Sequence, residues 1–409
     1  MAGNLPPYAA MVPVEDARRP LVRVPVPSGP DGPARLIPAL AEALEGIGPA
    51  IAPIPVVSTM TSQDYVASLL AAVLPDDPDR PLEDDRVAVV ACTSGSTGNP
   101  QGVLLATAQL TAMSHVVNDG DPIWVVALPV TSIGGINVLV RSLATTHDPV
   151  SVRSLGGAAP FTADVFADAV DSAYAQHDDV RVSIVPAQLA RLLDDARGTE
   201  ALRMCSHVLV GAAATRPDLH ERALGSGVRI TTTYGSTETS GGCVFDGTPL
   251  RGVTVRGTDL PGQLVIDGPC VALGYRLQPD LTRARFTSAG FLTPDLGTVI
   301  DGRVTVLGRV DDVVIIKGVN VSASAVEHAA AAALGVRGAA AVVGGADDPW
   351  IGVFVEHSGD GLDVADVSKS VVDRLGAAAR PRWVRRVDSL PHLPNGKVDR
   401  QLLIQWSES

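Results

Sequence analysis

The sequence predicts an α/β fold (α+β in its C-terminal part): a large N-terminal domain of layered sheets and helices with a barrel-like subdomain, followed by a small C-terminal domain. Three observations carry this. Short apolar runs of strand length alternate with segments of helical length, which reads as a largely parallel sheet. From about Gly252 the texture changes to short strands separated by glycine turns. After Gly308-Arg309 the chain reads as a compact unit, so the expected division is residues 1–308 and 309–409.

The elements follow in order. Pro25 to Pro33 is rich in proline and glycine and reads as a loop. Val87-Ala88-Val89-Val90-Ala91-Cys92 is an uninterrupted apolar run and reads as a buried strand. Ile123–Leu128, Val182–Val185 and His207–Val210 read the same way. Phe161–Gln176 and Pro186–Ala196 are the helical candidates between them. Gly262–Asp267 and Arg303–Leu307 are short strands of an antiparallel or barrel-like subdomain. In the last unit, Ser322–Ala333 and Val364–Gly376 read as helices, and Ala339–Val343 and Val353–Glu356 as strands.

Composition narrows the class. A chain of 409 residues, 46% hydrophobic and 19% charged, can bury a sizeable core. The net charge of −13, with dispersed basic residues, argues against a nucleic-acid partner. No apolar run reaches the ~18 residues of a membrane span, and Met1 to Pro13 lack the order of a secretory signal. The four cysteines, Cys92, Cys205, Cys243 and Cys270, lie far apart. They read as core fillers of a reduced, cytoplasmic protein without structural zinc. Arginine supplies nearly all the positive charge; the only lysines are Lys317, Lys369 and Lys397.

Five segments carry chemistry. Thr93-Ser94-Gly95-Ser96-Thr97-Gly98-Asn99-Pro100-Gln101-Gly102 follows the first strand. Its glycines let backbone N–H groups converge on an anion, and its hydroxyls donate to phosphate oxygens. A lysine would be expected at position 101, where the chain has Gln101. Thr231 to Thr239 gathers Tyr234 to stack on a purine, Thr237 for a phosphate and Glu238 for Mg²⁺. Asp295, in Phe291 to Gly297, suits a ribose diol. Gly308 to Val321 and Leu390 to Arg400 complete the set. Each alone is an ordinary polar turn.

Together, in this order and spacing over residues 86–405, the segments resemble the acyl-adenylate-forming superfamily of acyl-CoA synthetases, luciferases and adenylation domains. Within it the chain is most similar to the o-succinylbenzoate–CoA ligases of menaquinone biosynthesis. It shares their short N-terminal part, the Leu128 to Ser142 segment and the run from Tyr234 into Pro249-Leu250. The resemblance implies an AMP-forming acid–CoA ligase using ATP, Mg²⁺ and coenzyme A. Thr93, Ser94, Gly95, Ser96, Thr97 and Gly98 would hold the β/γ-phosphates. Gly211, Ala212 and Ala213 would line one face of adenine and Tyr234 the other. Thr237 would contact the α-phosphate, Glu238 the Mg²⁺, and Asp295 with Arg309 the ribose. Asp311 would be the hinge of a mobile C-terminal domain, Gly318 would border the CoA arm, and Lys397 would be the catalytic cation.

Ser132 and Gly241 are implied on the acyl side. Arg141 is a candidate clamp for a second carboxylate or else a structural arginine. Thr131 and Ser132 stand where the family often has an aromatic and a histidine, and Gln263 where it usually has glutamate. Two other functions stay open: an adenylating enzyme that loads a carrier protein, and an inactive homologue that binds nucleotide or acyl ligand. A homodimer is an admissible assembly.

Overall fold

The protein is described by a computed structural model covering residues 18–77, 79–93, 100–310, 312–316, 318–345, 349–357, 363–391 and 398–408. Ser94, Gly95, Ser96, Thr97, Gly98, Asp311, Lys317 and Lys397 lie outside these described residues.

Two sheets form the large unit. The first has the order Leu21–Val26, Ala50–Pro55, Val87–Cys92, Gly102–Ala106, Gly274–Tyr275; its first three strands are parallel. The second runs Thr248–Pro249, Gly241–Phe245, Ile230–Ser236, His207–Val210, Val180–Ile184, Ile123–Val126, Val150–Ser151, parallel from Ile230–Ser236 onward. Parallel strands buried on both faces read as continuous apolar runs, which is why Val87–Cys92 and His207–Val210 were legible. One core cluster takes residues from both sheets, including Val24, Ala88, Trp124, Val182 and Leu209. Full burial of such side chains contributes about 1.5–3 kcal/mol each relative to exposure.

A third, antiparallel sheet follows, in the order Thr254–Gly257, Gly262–Asp267, Gly290–Ile300, Phe286–Thr287, with Arg303–Arg309 also paired to Gly290–Ile300. This is the antiparallel subdomain expected after Gly252. The C-terminal part has a separate core, in which Val321, Val326, Val353 and Val367 pack together. Its sheet is Val336–Gly344, Trp350–His357, Trp383–Val387, covered by helices Ala323–Ala331 and Val364–Leu375.

The loop expected at Pro25 to Pro33 is present only over residues 27–30 and is corrected at both ends. Pro25 lies in the strand Leu21–Val26 and Pro33 in the helix Asp31–Glu45. Leu21–Val26 is an edge strand, where proline removes no needed ladder bond, and Pro33 sits in a first helical turn, where an N–H would have no intrahelical acceptor and its lack costs nothing. Of the four cysteines, Cys205, Cys243 and Cys270 are buried and Cys92 is half-buried; all are free thiols.

Candidate active site

Because the parallel strands share one direction, their carboxyl ends open on one edge, where ligands of α/β sheets bind. Thr93 follows Val87–Cys92, the turn Pro129–Ser132 follows Ile123–Val126, Gly211–Ala213 follows His207–Val210, and Thr237–Thr239 follows Ile230–Ser236. In the second sheet the turn Pro129–Ser132, Gly211–Ala213 and Thr237–Thr239 thus stand in chain order along the carboxyl edge, while Thr93 leaves the first sheet.

At the phosphate loop, Thr93 N donates to Gln101 O at 2.8 Å, and Gln101 N donates to Thr93 Oγ1 at 3.1 Å. The backbone of Gln101 therefore closes the base of the loop whatever its side chain does.

Tyr234, Asp295 and Arg309, far apart in sequence, meet. Tyr234 Oη donates to Asp295 Oδ2 at 2.7 Å, and Arg309 Nη1 stands 3.8 Å from Asp295 Oδ1. Asp295 and Arg309 are directly opposite on adjacent strands, so sheet register creates the pair. Burial, then the Asp295 charge, hold the Tyr234 phenol protonated well above its ordinary range. Gly211 is demanded by close approach, since a Cβ there would lie 2.3 Å from Thr233 Oγ1. Ala212 takes a left-handed backbone (φ 67°), and Ala212 and Ala213 present an exposed ledge near Tyr234's strand.

Thr237 is buried, while Glu238 is half-buried. Among the described residues Glu238 receives one side-chain hydrogen bond, from Tyr275 Oη to Oε1 at 2.9 Å, leaving Oε2 available. A single carboxylate suits Mg²⁺, which keeps waters and binds through one or two carboxylates plus substrate phosphates. Among the described residues no three or more His, Cys, Asp or Glu side chains gather to hold a metal. The donor set thus fits a metal delivered with a nucleotide rather than a resident protein cage.

Ser132 occupies the N-cap position of the helix Ile133–Leu143 without a side-chain capping bond, and its Oγ donates to Pro129 O at 2.7 Å. A cleft opens there, lined by Ser28, Tyr65, Cys92, Thr131, Ser132 and Leu155 among others, with no charged side chain among the described residues. Gly241 packs against the same helix. Its φ is 92° and a Cβ would meet Asn137 Nδ2 at 2.1 Å, while that amide donates to Ser240 O at 2.6 Å.

Arg141 is not brought to this cleft. The helix runs back from Ser132, so Arg141 lies about 13 Å further along its axis. Its guanidinium sits 5.3 Å from the Trp124 ring centroid and only 6% of the residue is exposed. Desolvation pushes its pKa down to about 10. It is a structural cation–π partner at the opposite end of the strand Ile123–Val126, which corrects the clamp expectation.

Gly318 needs its left-handed backbone (φ 80°), yet nothing lies within 4 Å of where a Cβ would stand. Of the described residues that flank positions 392–397, Asp399 N donates to Pro391 O at 2.8 Å, and Arg400 bonds Glu327 at 2.5 and 3.0 Å.

Sequence reasoning missed Tyr275, Thr293 and Asn137. Thr293 is buried; its Oγ1 donates to Leu264 O at 2.9 Å and accepts from Asp295 N at 3.0 Å, aiming the aspartate. Gln263 Nε2 donates to Thr293 O, a bond that the usual glutamate, ionised, cannot make.

Residues 46–276 match the family model of the AMP-binding enzymes. The chain is 35% identical over 394 residues to a probable 2-succinylbenzoate–CoA ligase of Mycobacterium tuberculosis, covering 93% of this chain and 97% of that one. In fold it is similar to an amide bond synthetase from Marinactinospora thermotolerans (TM-score 0.77, 21% identity, 96% of this chain and 90% of that one). It is also similar in fold to an o-succinylbenzoate CoA synthetase from Bacillus subtilis solved with its acyl-adenylate intermediate (TM-score 0.71, 21% identity, 94% and 88%). With the family model spanning more than half its length, the chain belongs to the AMP-binding enzyme family.

Proposed function

We propose that the protein is an AMP-forming acid–CoA ligase acting on o-succinylbenzoate in menaquinone biosynthesis, in the cytoplasm where ATP and CoA are available. The observation that carries this reading is the meeting of Tyr234, Asp295 and Arg309 beside Thr237 and Glu238. The 35% identity to a probable 2-succinylbenzoate–CoA ligase of M. tuberculosis supports the substrate.

In this reading adenine lies between the Gly211–Ala213 ledge and Tyr234, and Asp295 accepts from the ribose hydroxyls with Arg309 beside it. Ser94 to Gly98 and Thr93 hold the outer phosphates, and Thr237 the α-phosphate. Mg²⁺ held by Glu238 would neutralise phosphate charge. As the carboxylate attacks the α-phosphorus, negative charge builds between two anions. Lys397, placed there, stabilises the transition state more than the ground state. CoA must then reach the acyl carbonyl where Lys397 stood, so the domain 309–409 turns about Asp311 and brings Gly318 to the pantetheine arm. The uncharged cleft beside Ser132 and Gly241 takes the apolar body of the acid. In this family reading pyrophosphate is held by backbone N–H groups, hydroxyls and metal, with Gln101 contributing at most a neutral amide.

The test is exchange of labelled pyrophosphate into ATP over a panel of acids, followed by transfer to CoA or to a carrier protein. Exchange highest with o-succinylbenzoate and transfer to CoA is expected. Transfer only to a carrier protein would overturn the ligase reading, and no acid-dependent exchange would leave a nucleotide-binding homologue. Lys397→Ala should nearly abolish exchange while sparing ATP binding.

A further inference from the structure

Glu238 is braced from an unexpected quarter. Its main chain and its side chain are both held by the short segment 272–275. Ala272 N donates to Glu238 O at 2.8 Å, and Tyr275 Oη donates to Glu238 Oε1 at 2.9 Å. The same segment is the last strand of the first sheet: Leu273 N bonds Leu104 O at 3.0 Å, Arg276 N bonds Gly102 O at 2.7 Å, and Tyr275 stands opposite Val103. Gly102–Ala106 is the strand that leaves the phosphate loop. One short strand therefore joins the loop of the first sheet to the carboxylate of the second.

The segment is rigid. Tyr275 is 4% exposed and stacks edge-on against Phe286, 5.3 Å between centroids. Tyr275 N donates to Thr282 Oγ1 at 2.9 Å. Gly274 has φ 145°, and a Cβ there would lie 2.5 Å from Thr282 Cγ2. Arg276 is fully buried, with its guanidinium bonded to Val73 O at 3.0 Å, Pro81 O at 2.7 Å and Glu83. A phenol so fixed cannot follow a carboxylate that wanders; it sets where the carboxylate stands.

We propose that Tyr275 is the positioning residue of the metal-binding carboxylate, holding Oε1 of Glu238 so that Oε2 is presented to the cation of the bound nucleotide in register with the phosphate loop. The proposal rests on reading Glu238 as that ligand. It predicts that Tyr275 acts on cation binding and not on adenine or acid recognition.

The experiment titrates Mn²⁺ by electron paramagnetic resonance into the full chain saturated with α,β-methylene-ATP, with metal-free ATP binding in EDTA and thermal melting measured alongside. Tyr275→Phe keeps the ring on Phe286 and should weaken Mn²⁺ about tenfold, the scale of losing a residue behind a metal ligand. Metal-free ATP affinity should stay within about twofold. Glu238→Gln must weaken Mn²⁺ at least as much. If Glu238→Gln leaves Mn²⁺ binding unchanged, the reading of Glu238 is wrong. If Glu238→Gln weakens it and Tyr275→Phe does not, the positioning role alone is wrong. Should Tyr275→Phe melt early, site-specific replacement of Tyr275 by p-aminophenylalanine restores a donor at the para position. Recovery of Mn²⁺ affinity then supports the proposal, and its absence overturns it.

Discussion

Tyr234→Phe separates the two roles that the proposed function gives this residue: a ring against adenine and a hydroxyl holding Asp295. The substitution keeps the ring and deletes the 2.7 Å bond to Oδ2. A hydrogen bond to a charged acceptor contributes about 1.5–3 kcal/mol. Part of that is recovered, because Arg309 stays 3.8 Å from Oδ1 and the ribose hydroxyls can donate to the vacated oxygen. A net loss of about 1–1.5 kcal/mol in ATP binding follows, or roughly five- to twelvefold in affinity. The assay is isothermal titration of ATP with steady-state kinetics in both ATP and acid. Affinity for ATP should fall by that factor, while kcat changes less than about threefold and the acid KM holds. Unchanged ATP affinity with a large fall in kcat would refute the reasoning, because the hydroxyl would then act in the transition state rather than in nucleotide binding.

Other outcomes follow from the same geometry. Gly241→Ala puts a methyl on Asn137 Nδ2 at a left-handed backbone position. Backbone strain of about 1–2 kcal/mol plus about 1–3 kcal/mol for loss of the buried Asn137–Ser240 bond should lower the melting temperature by roughly 3–8 °C in a unit this large; a change under about 1 °C would mean that Asn137 moves aside freely. Arg400→Met leaves Glu327 without its two-pronged partner and frees the chain just after Lys397, so pyrophosphate exchange should fall about tenfold with ATP binding retained; unchanged exchange would show that this anchor does not place the lysine. Burial pushes the Cys92 thiol up from 9.0 to about 12. The folded chain therefore keeps a proton that the unfolded chain sheds, so this thiol's contribution to stability is complete below about pH 9 and is lost as pH rises toward 12. Iodoacetamide at pH 8 should accordingly alkylate Cys92 about a thousandfold more slowly in the native than in the unfolded chain, read by peptide mass spectrometry; near-equal rates would contradict its burial.

Much of the fold was legible because parallel strands buried on both faces leave uninterrupted apolar runs, as in Val87–Cys92. The early proline-rich stretch was not, since proline's local meaning depends on whether a strand is an edge or a helix is in its first turn. Among the candidate site residues, Tyr234, Glu238, Asp295 and Arg309 could be picked out because their motifs travel as contiguous words. Tyr275 was not: it bonds Glu238 from 37 positions away, through a strand pairing that no local pattern announces. Asn137, bonded to Ser240 over 103 positions, was hidden for the same reason. Arg141 misled because bidentate chemistry suits a second carboxylate, whereas the direction of its helix carries it away from the cleft to Trp124.

The central claim is adenylation of an acid with release of pyrophosphate before any thiol takes part. The direct measurement gives the protein ATP, Mg²⁺ and o-succinylbenzoate without CoA, resolves the nucleotide products in a single turnover, and then adds CoA. o-Succinylbenzoyl-AMP and pyrophosphate should appear first, then AMP and the CoA thioester on addition of the thiol. ADP and inorganic phosphate, or no nucleotide chemistry until CoA is present, would contradict it.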